Sequence, residues 1–378
     1  MGMNKMFKKV LAVVAAGAMT MGMAMPTFAA DNGKTTEAWI TKTYNTEVGK
    51  AETFSFTATQ NTEGTGLVKT AASVTIPDIS FTTDQTETTK QRAKVNFPTY
   101  TEAGKYEYTV TETKADPTIT DVKHQKMIMS KAVYTMDVYV SNAGNGFEIS
   151  NIIVNKKQDD EGTVETGKVD ISNTDKNGFN FTNTYVQEAG TGTDPVNPGP
   201  DYTTYGSLDV SKKIKTDAAD TADTNKEFEF TADFTFPNGT DATTLDAKAT
   251  IGDSTTSITG TSHTFRLKHG QNVKFTGLPV GTKISVTESA TPNYKGSAEV
   301  VINNGTKEAV AETKYNEALT VSDKTLGQNK NTVDVTNTYN YVPTTGIIMN
   351  TLPYVLMIAL CGAALMAFVA FKRRRLQK

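Results

Sequence analysis

Cysteine is nearly absent. The one cysteine in 378 residues, Cys361, lies inside an apolar run near the C-terminus, so no disulfide can staple the rest of the chain. Histidine is almost as scarce. His124, His263 and His269 are scattered without metal-ligand spacing, and no nucleophile–histidine–acid arrangement accompanies them. No glycine-rich phosphate loop is present. Net charge is only −3 and no basic patch stands out, which argues against a nucleic-acid partner. Nor is there a helical stripe of convincing length outside the two chain ends. These absences leave no expected cofactor, no expected metal and no turnover active site.

The two ends carry targeting features. Lys5, Lys8 and Lys9 precede an apolar stretch from Val10 to Met25, and Thr27-Phe28-Ala29-Ala30 supplies small residues for cleavage. Residues 1–30 are therefore expected to be a signal peptide. At the other end, Leu352 to Phe371 is twenty apolar residues, enough at ~1.5 Å per residue to cross a hydrocarbon layer of about 30 Å. Lys372-Arg373-Arg374-Arg375 would hold its end in the cytoplasm. Immediately before the apolar run stands Val342-Pro343-Thr344-Thr345-Gly346. The order x-P-x-T-G, apolar run, basic tail resembles the cell-wall sorting signal of Gram-positive surface proteins. That resemblance implies that a sortase cuts between Thr345 and Gly346 and holds Thr345 as a thioester until an amine resolves it. Val342 stands where the signal usually has Leu. A permanent single-span membrane protein is the plainer alternative.

Between the ends the texture is all-β. Thr53-Phe54-Ser55-Phe56-Thr57, Tyr106 to Val110, Ala132 to Val140 and Phe228 to Phe234 alternate with period two, favour aromatic and β-branched residues, and are punctuated by Gly, Asn and Asp. Many short strands in a stretch too long for one sandwich predict two. The expected layout is a signal peptide at 1–30, a first immunoglobulin-like domain at 31–186, a Pro/Gly linker at 187–203 and a second such domain at 204–341. The sorting motif follows at 342–346, a transmembrane segment at 347–371 and a basic tail at 372–378. The linker, with Pro195, Pro198 and Pro200, is expected to be semi-extended and solvated.

The halves repeat each other in order. Ile40-Thr41-Lys42 returns as Val210-Ser211-Lys212, Thr53 to Ala58 as Glu227 to Ala232, Val110-Thr111-Glu112 as Val286-Thr287-Glu288, and Asn183-Thr184-Tyr185 as Asn337-Thr338-Tyr339. Four matches in one order point to a duplicated domain. Each half thus offers a lysine on its first strand, a glutamate on a middle strand and an asparagine on its last. First and last strands of a sandwich can be neighbours. If these side chains are buried together, desolvation lowers the lysine pKa and raises that of the glutamate, and both become neutral. Neutral Lys42 or Lys212 is a nucleophile for the carboxamide of Asn183 or Asn337, while Glu112 or Glu288 moves protons as ammonia leaves. The product is a side-chain isopeptide bond, made once per domain without a cofactor. The plain alternative is that these are ordinary polar strand residues, with both glutamates in water.

With these residues in view, the chain resembles the backbone pilins of Gram-positive bacteria, in particular the two-domain T-antigen type. The resemblance implies a Lys–Asn bond in each immunoglobulin-like domain. The family's V-T-E run is matched at Val110 to Glu112 and Val286 to Glu288, and its F-x-N strand at Asn183; Val335 replaces the Phe before Asn337. It further implies an acceptor lysine seven residues before the first asparagine, a place held by Lys176, with Lys156, Lys157 and Lys168 as reserves. The partners so implied are a sortase, identical subunits joined covalently, minor pilins and peptidoglycan. The setting is the cell surface, reached through a membrane-anchored precursor. A monomeric wall-anchored adhesin, or a basal or tip pilin, remains the rival reading.

Overall fold

The computed structural model describes residues 35–113, 123–216, 222–339 and 356–368. The chain is all-β, as expected, and folds as two tandem sandwiches. The first half contributes β1 (Trp39–Thr46), β2 (Glu52–Asn61), β3 (Ile79–Phe81), β4 (Glu87–Lys94), β5 (Gly104–Thr113) and β6 (Gln125–Ile128). It continues with β7 (Val133–Ala143), β8 (Gly146–Gln158), β9 (Val164–Val169) and β10 (Asn180–Gln187). They form one sheet in the order β4-β1-β10-β6 and a second in the order β3-β2-β5-β7-β8-β9.

A short helix, α1 (Pro200–Tyr205), leads into the second half. There β11 (Leu208–Thr216), β13 (Lys248–Ile251), β14 (Ser254–Ser257), β16 (Asn272–Thr276), β18 (Tyr294–Val301), β19 (Glu308–Val310) and β21 (Thr332–Tyr339) build a sheet in the order β14-β13-β16-β11-β21-β18-β19. Facing it is the sheet β15-β12-β17-β20, made of β12 (Phe228–Thr235), β15 (Ser262–Leu267), β17 (Lys283–Glu288) and β20 (Leu319–Thr325).

The alternating runs form strands because one face of each has a core to bury. Along β12 every second residue is buried, beginning with Phe228 and Phe230. Aromatic rings dominate both cores: Tyr44, Phe54, Phe81, Phe179 and Phe181 in the first, and Phe228, Phe230, Phe265 and Phe275 in the second. Each such ring removed from water is worth about 1.5–3 kcal/mol. In both sandwiches the first strand lies parallel to the last. β1 runs beside β10, with Lys42 opposite Phe181 and Tyr44 opposite Asn183; β11 runs beside β21, with Lys212 opposite Val335 and Ile214 opposite Asn337.

The stretch expected to be a solvated spacer is not one throughout. Gln187 to Thr191 are buried and hydrogen-bonded. Val280 N–H donates to Gln187 O at 2.8 Å, Ala189 N–H to Leu278 O at 2.8 Å and Gly192 N–H to Gln328 O at 2.7 Å. The chain leaves β10 and is at once bonded into the second sandwich. From 193 to 204 the chain is largely exposed, Pro195 being the buried exception. Pro195, Pro198 and Pro200 all lie beyond 187–191.

Residues 342–346, residues 347–355 and 369–371 of the C-terminal run, and residues 1–30 lie outside the described residues. Residues 356–368 are helical and exposed, and among the described residues no helix is long and apolar enough to cross a membrane.

Candidate functional site

Lys42 sits on β1 and Asn183 on the neighbouring β10, two places beyond direct register, so their side chains share the inner face of one sheet. Glu112 comes from β5 in the facing sheet and reaches across the core. Its Oε1 lies 2.8 Å from Lys42 Nζ and accepts from Asn183 Nδ2 at 3.0 Å. Lys42 and Asn183 are 0% exposed and the Glu112 side chain 1%. The Phe54 ring lies 4.3 Å from Nζ and walls it off from water.

The second domain repeats the arrangement. Lys212 Nζ lies 2.8 Å from Glu288 Oε1, and Asn337 Nδ2 donates to that same oxygen. Lys212 is again 0% exposed, with the Phe228 ring centroid 4.0 Å from Nζ. The register is the same too: Glu112 pairs with Phe56 as Glu288 pairs with Phe230. Glycine makes room here. Gly296 is directly opposite Asn337 on β18, and a Cβ on it would sit 3.2 Å from Asn337 Oδ1.

Burial decides the protonation. Loss of water pulls Lys42 and Lys212 down to about 8, against the opposing pull of their glutamates. The same desolvation pushes Glu112 and Glu288 above the ordinary carboxylate range, although each faces a lysine. A proton passing over 2.8 Å from Nζ to Oε1 converts the ion pair into amine and carboxylic acid. The site then holds a nucleophile, a proton carrier and a carboxamide in mutual contact, which is the equipment for transamidation.

The two domains differ around the carboxamide. In the first, Asn183 Oδ1 accepts the backbone N–H of Ser130 at 2.7 Å. In the second, Asn337 Oδ1 has no hydrogen-bond partner among the described residues. Sequence reasoning passed over Ser130, its neighbour Asp160 and the aromatic walls. Phe54 and Phe228 were visible as a repeated F-x-F pattern, whereas Ser130 lies in a loop with no motif.

The lysines proposed for subunit linkage are placed differently. Lys176 is exposed in the turn before β10, beside Asp175, which pairs with Arg92. Lys157 and Lys168 are exposed as well, and Lys156 pairs with Glu165 at 3.2 Å. Among the described residues no group of three or more acidic, histidine or cysteine side chains is arranged to hold a metal ion.

Residues 38–186 match the family model of the Spy0128-like isopeptide containing domain. The first half is similar to domains of that kind. The match bears out the resemblance to Gram-positive pilins, and the chain is pilin-like. Residues 206–339 match a family described as a domain of unknown function, DUF7601. Among solved structures, the major pilin from Streptococcus pyogenes is similar at 21% identity, covering 80% of this chain and 99% of that one, with a TM-score of 0.33. The T3.2 major pilin from the same organism is 19% identical over 82% of this chain and 100% of that one, with a TM-score of 0.32. A pilus-presented adhesin is 17% identical over 52% of this chain and 38% of that one, with a TM-score of 0.26. No curated protein matches the chain significantly.

Proposed function

We propose that this chain is the shaft subunit of a covalently polymerised, cell-wall-anchored pilus, with each domain closed by an autocatalytic Lys–Asn isopeptide bond. The observation that carries the reading is the twofold occurrence of a fully buried lysine against a buried glutamate and an asparagine, joining the first and last strands of each sandwich. Buried lysines are rare and call for a reason. Here the reason is a reaction that consumes the charge.

Glu112 takes a proton from Lys42 Nζ, and the neutral amine attacks Asn183 Cγ. Glu112 gives that proton to Nδ2, which departs as ammonia, and takes up the second proton that Nζ sheds on becoming an amide nitrogen. Oε1 touches both nitrogens, so the carboxyl need not move between the two transfers. Lys212, Glu288 and Asn337 act in the same way. The family match of the first half supports this reading there; the repeated geometry extends it to the second.

Outside the domains, a sortase would cleave between Thr345 and Gly346. The exposed amine of Lys176 on the next subunit would resolve the thioester, and peptidoglycan would take the last subunit. Two measurements test the proposal. The intact mass of residues 31–345 should fall short of the sequence mass by two ammonia molecules. In cells, a detergent-resistant ladder should form and vanish in Lys176→Arg while wall attachment of the monomer persists. A full sequence mass overturns the cross-links. A mass deficit without any ladder in the wild type points instead to a monomeric adhesin, and a ladder that survives Lys176→Arg moves the linkage to Lys156, Lys157 or Lys168.

A further inference from the structure

The last strand of each domain carries its asparagine, but the neighbouring strand behaves differently there. In the second domain β18 runs unbroken along β21, from Tyr294 opposite Tyr339 to Val301 opposite Thr332, and passes Asn337 at Gly296. In the first domain β6 pairs with β10 only from Gln187 to Thr184. It ends at Ile128, one residue short of Asn183, and the chain turns away through Met129 and Ser130. A backbone N–H released from the ladder in this way needs another acceptor. For Ser130 that acceptor is the side-chain oxygen Oδ1 of Asn183.

The turn is held from the other side by Asp160, in the connection between β8 and β9. Asp160 Oδ1 accepts from Ser130 Oγ at 2.5 Å and from Thr182 N–H at 2.9 Å, and its backbone oxygen accepts from Lys131 N–H at 3.0 Å. Ser130 Oγ in turn accepts from Ala132 N–H at 3.1 Å. Met129 Sδ lies 3.3 Å from Asn183 Nδ2 and closes the remaining side of the carboxamide. The donor is therefore fixed before any reaction begins.

We propose that the Ser130 backbone N–H is an oxyanion donor for cross-linking of the first domain, that Asp160 is its positioning residue, and that the second domain works without a counterpart. The inference rests on the isopeptide reading above and adds a group to it. When Lys42 Nζ bonds to Asn183 Cγ, the carbonyl electron pair moves onto Oδ1, which becomes an alkoxide. The N–H already pointing at Oδ1 from 2.7 Å strengthens its hydrogen bond as that charge grows. The pair then returns, the Cγ–Nδ2 bond breaks, and Nδ2 leaves as ammonia with the proton Glu112 took from Nζ. Nζ sheds two protons in becoming an amide nitrogen: one leaves in the ammonia and the other stays on Glu112.

The test follows ammonia loss in the full chain after cell-free synthesis into detergent micelles, with each bond assigned by peptide mapping. Replacing the Met129–Ser130 amide by an ester, with the α-hydroxy analogue of serine at 130, removes the N–H and leaves the side chain. The first bond should then form on the order of 10²–10³-fold more slowly while the second keeps its wild-type rate. Ser130→Pro should act in the same direction. Asp160→Ala should slow the first bond, and Asp160→Asn, which keeps an acceptor oxygen for Ser130 Oγ and Thr182 N–H, should restore it. An unchanged rate in the ester chain overturns the proposal. Absence of the first bond in the wild-type chain would instead overturn the isopeptide reading, so the two failures are told apart.

Discussion

A lysine amine beside a carboxylate in a dry space is unstable as an ion pair and has only two escapes, proton transfer or reaction. Both escapes are open to Lys212, and the covalent one removes the buried charge for good. Glu288→Ala and Asn337→Ala should each keep one ammonia that the wild-type chain loses, with the missing bond mapped to the second domain. The staple closes a loop of more than a hundred residues, worth roughly 4–5 kcal/mol in the chain-entropy picture. A drop in the melting temperature of that domain on the order of 10–20 °C is expected, read by calorimetry. Unchanged mass and melting would remove the cross-link from the account. Asp209, at the opposite end of β11, is a buried acid with another role. Burial pushes its carboxyl up to about 6, against a hydrogen bond from Asn272, with Asp334 adding to the rise and Lys274 opposing it. A carboxyl raised in the folded state takes up a proton on acidification before the unfolded chain does. Stability from this group therefore rises as pH falls from 7 through 6 towards 4. Asp209→Asn should stabilise the second domain at pH 7, by an amount on the order of 1–2 kcal/mol, and the difference should shrink as pH falls through 6 and vanish only below the unfolded carboxylate range, at about pH 3.5. A pH-independent difference would show that Asp209 is not the titrating group.

At the scale of elements, the two parallel pairs decide the chemistry. β1 beside β10 and β11 beside β21 bring together residues from opposite ends of each domain. A pull on the chain ends therefore reaches these pairs first. Their existence was legible because the repeat fixed which lysine and which asparagine belong together, and burial of both followed once a partner was available. What the neighbouring strand does was not legible. The early end of β6 depends on where the chain turns at Met129, and the grip of Asp160 on that turn joins residues thirty places apart without a motif at either. The docking of Gln187 to Thr191 was hidden for a similar reason, since their backbone partners lie far along the second domain. On β18, Gly296 allows the Asn337 carboxamide to sit against the backbone, and an added Cβ would also stand 3.0 Å from Leu319 Cβ. Gly296→Ala should push the carboxamide off its place and slow formation of the second bond at least several-fold, with the first unchanged. Equal rates for the two chains in a mass time course would show that the site tolerates the methyl group.

At the scale of the whole molecule, the domains are joined by a buried carboxylate as well as by the chain. Glu188 follows β10, and its side chain is 5% exposed. Its Oε2 accepts from His124 Nδ1 of the first domain at 2.6 Å. Its Oε1 accepts from Tyr202 Oη on α1 at 2.6 Å, from Ser207 Oγ at 2.8 Å and from the Gly277 N–H of the second domain. Near this hub the domains touch closely: a Cβ on Gly281 would lie 2.6 Å from Glu47 Cγ, and φ of +86° there suits glycine. Such a clasp would transmit load from one sandwich to the next without bending. Glu188→Ala leaves the Tyr202, Ser207 and Gly277 donors facing a void, a cost of about 1–3 kcal/mol for each one left buried. The cheapest relief is for the domains to part. The variant should keep both cross-links and both domain cores while solution scattering shows a wider spread of inter-domain distances and proteases cut within 192–199. Glu188→Gln should stay close to wild type, because its oxygen still serves the three donors on the Oε1 side. An Ala variant that scatters like the wild type would mean that the docked backbone of 187–191 holds the tandem straight without the carboxylate.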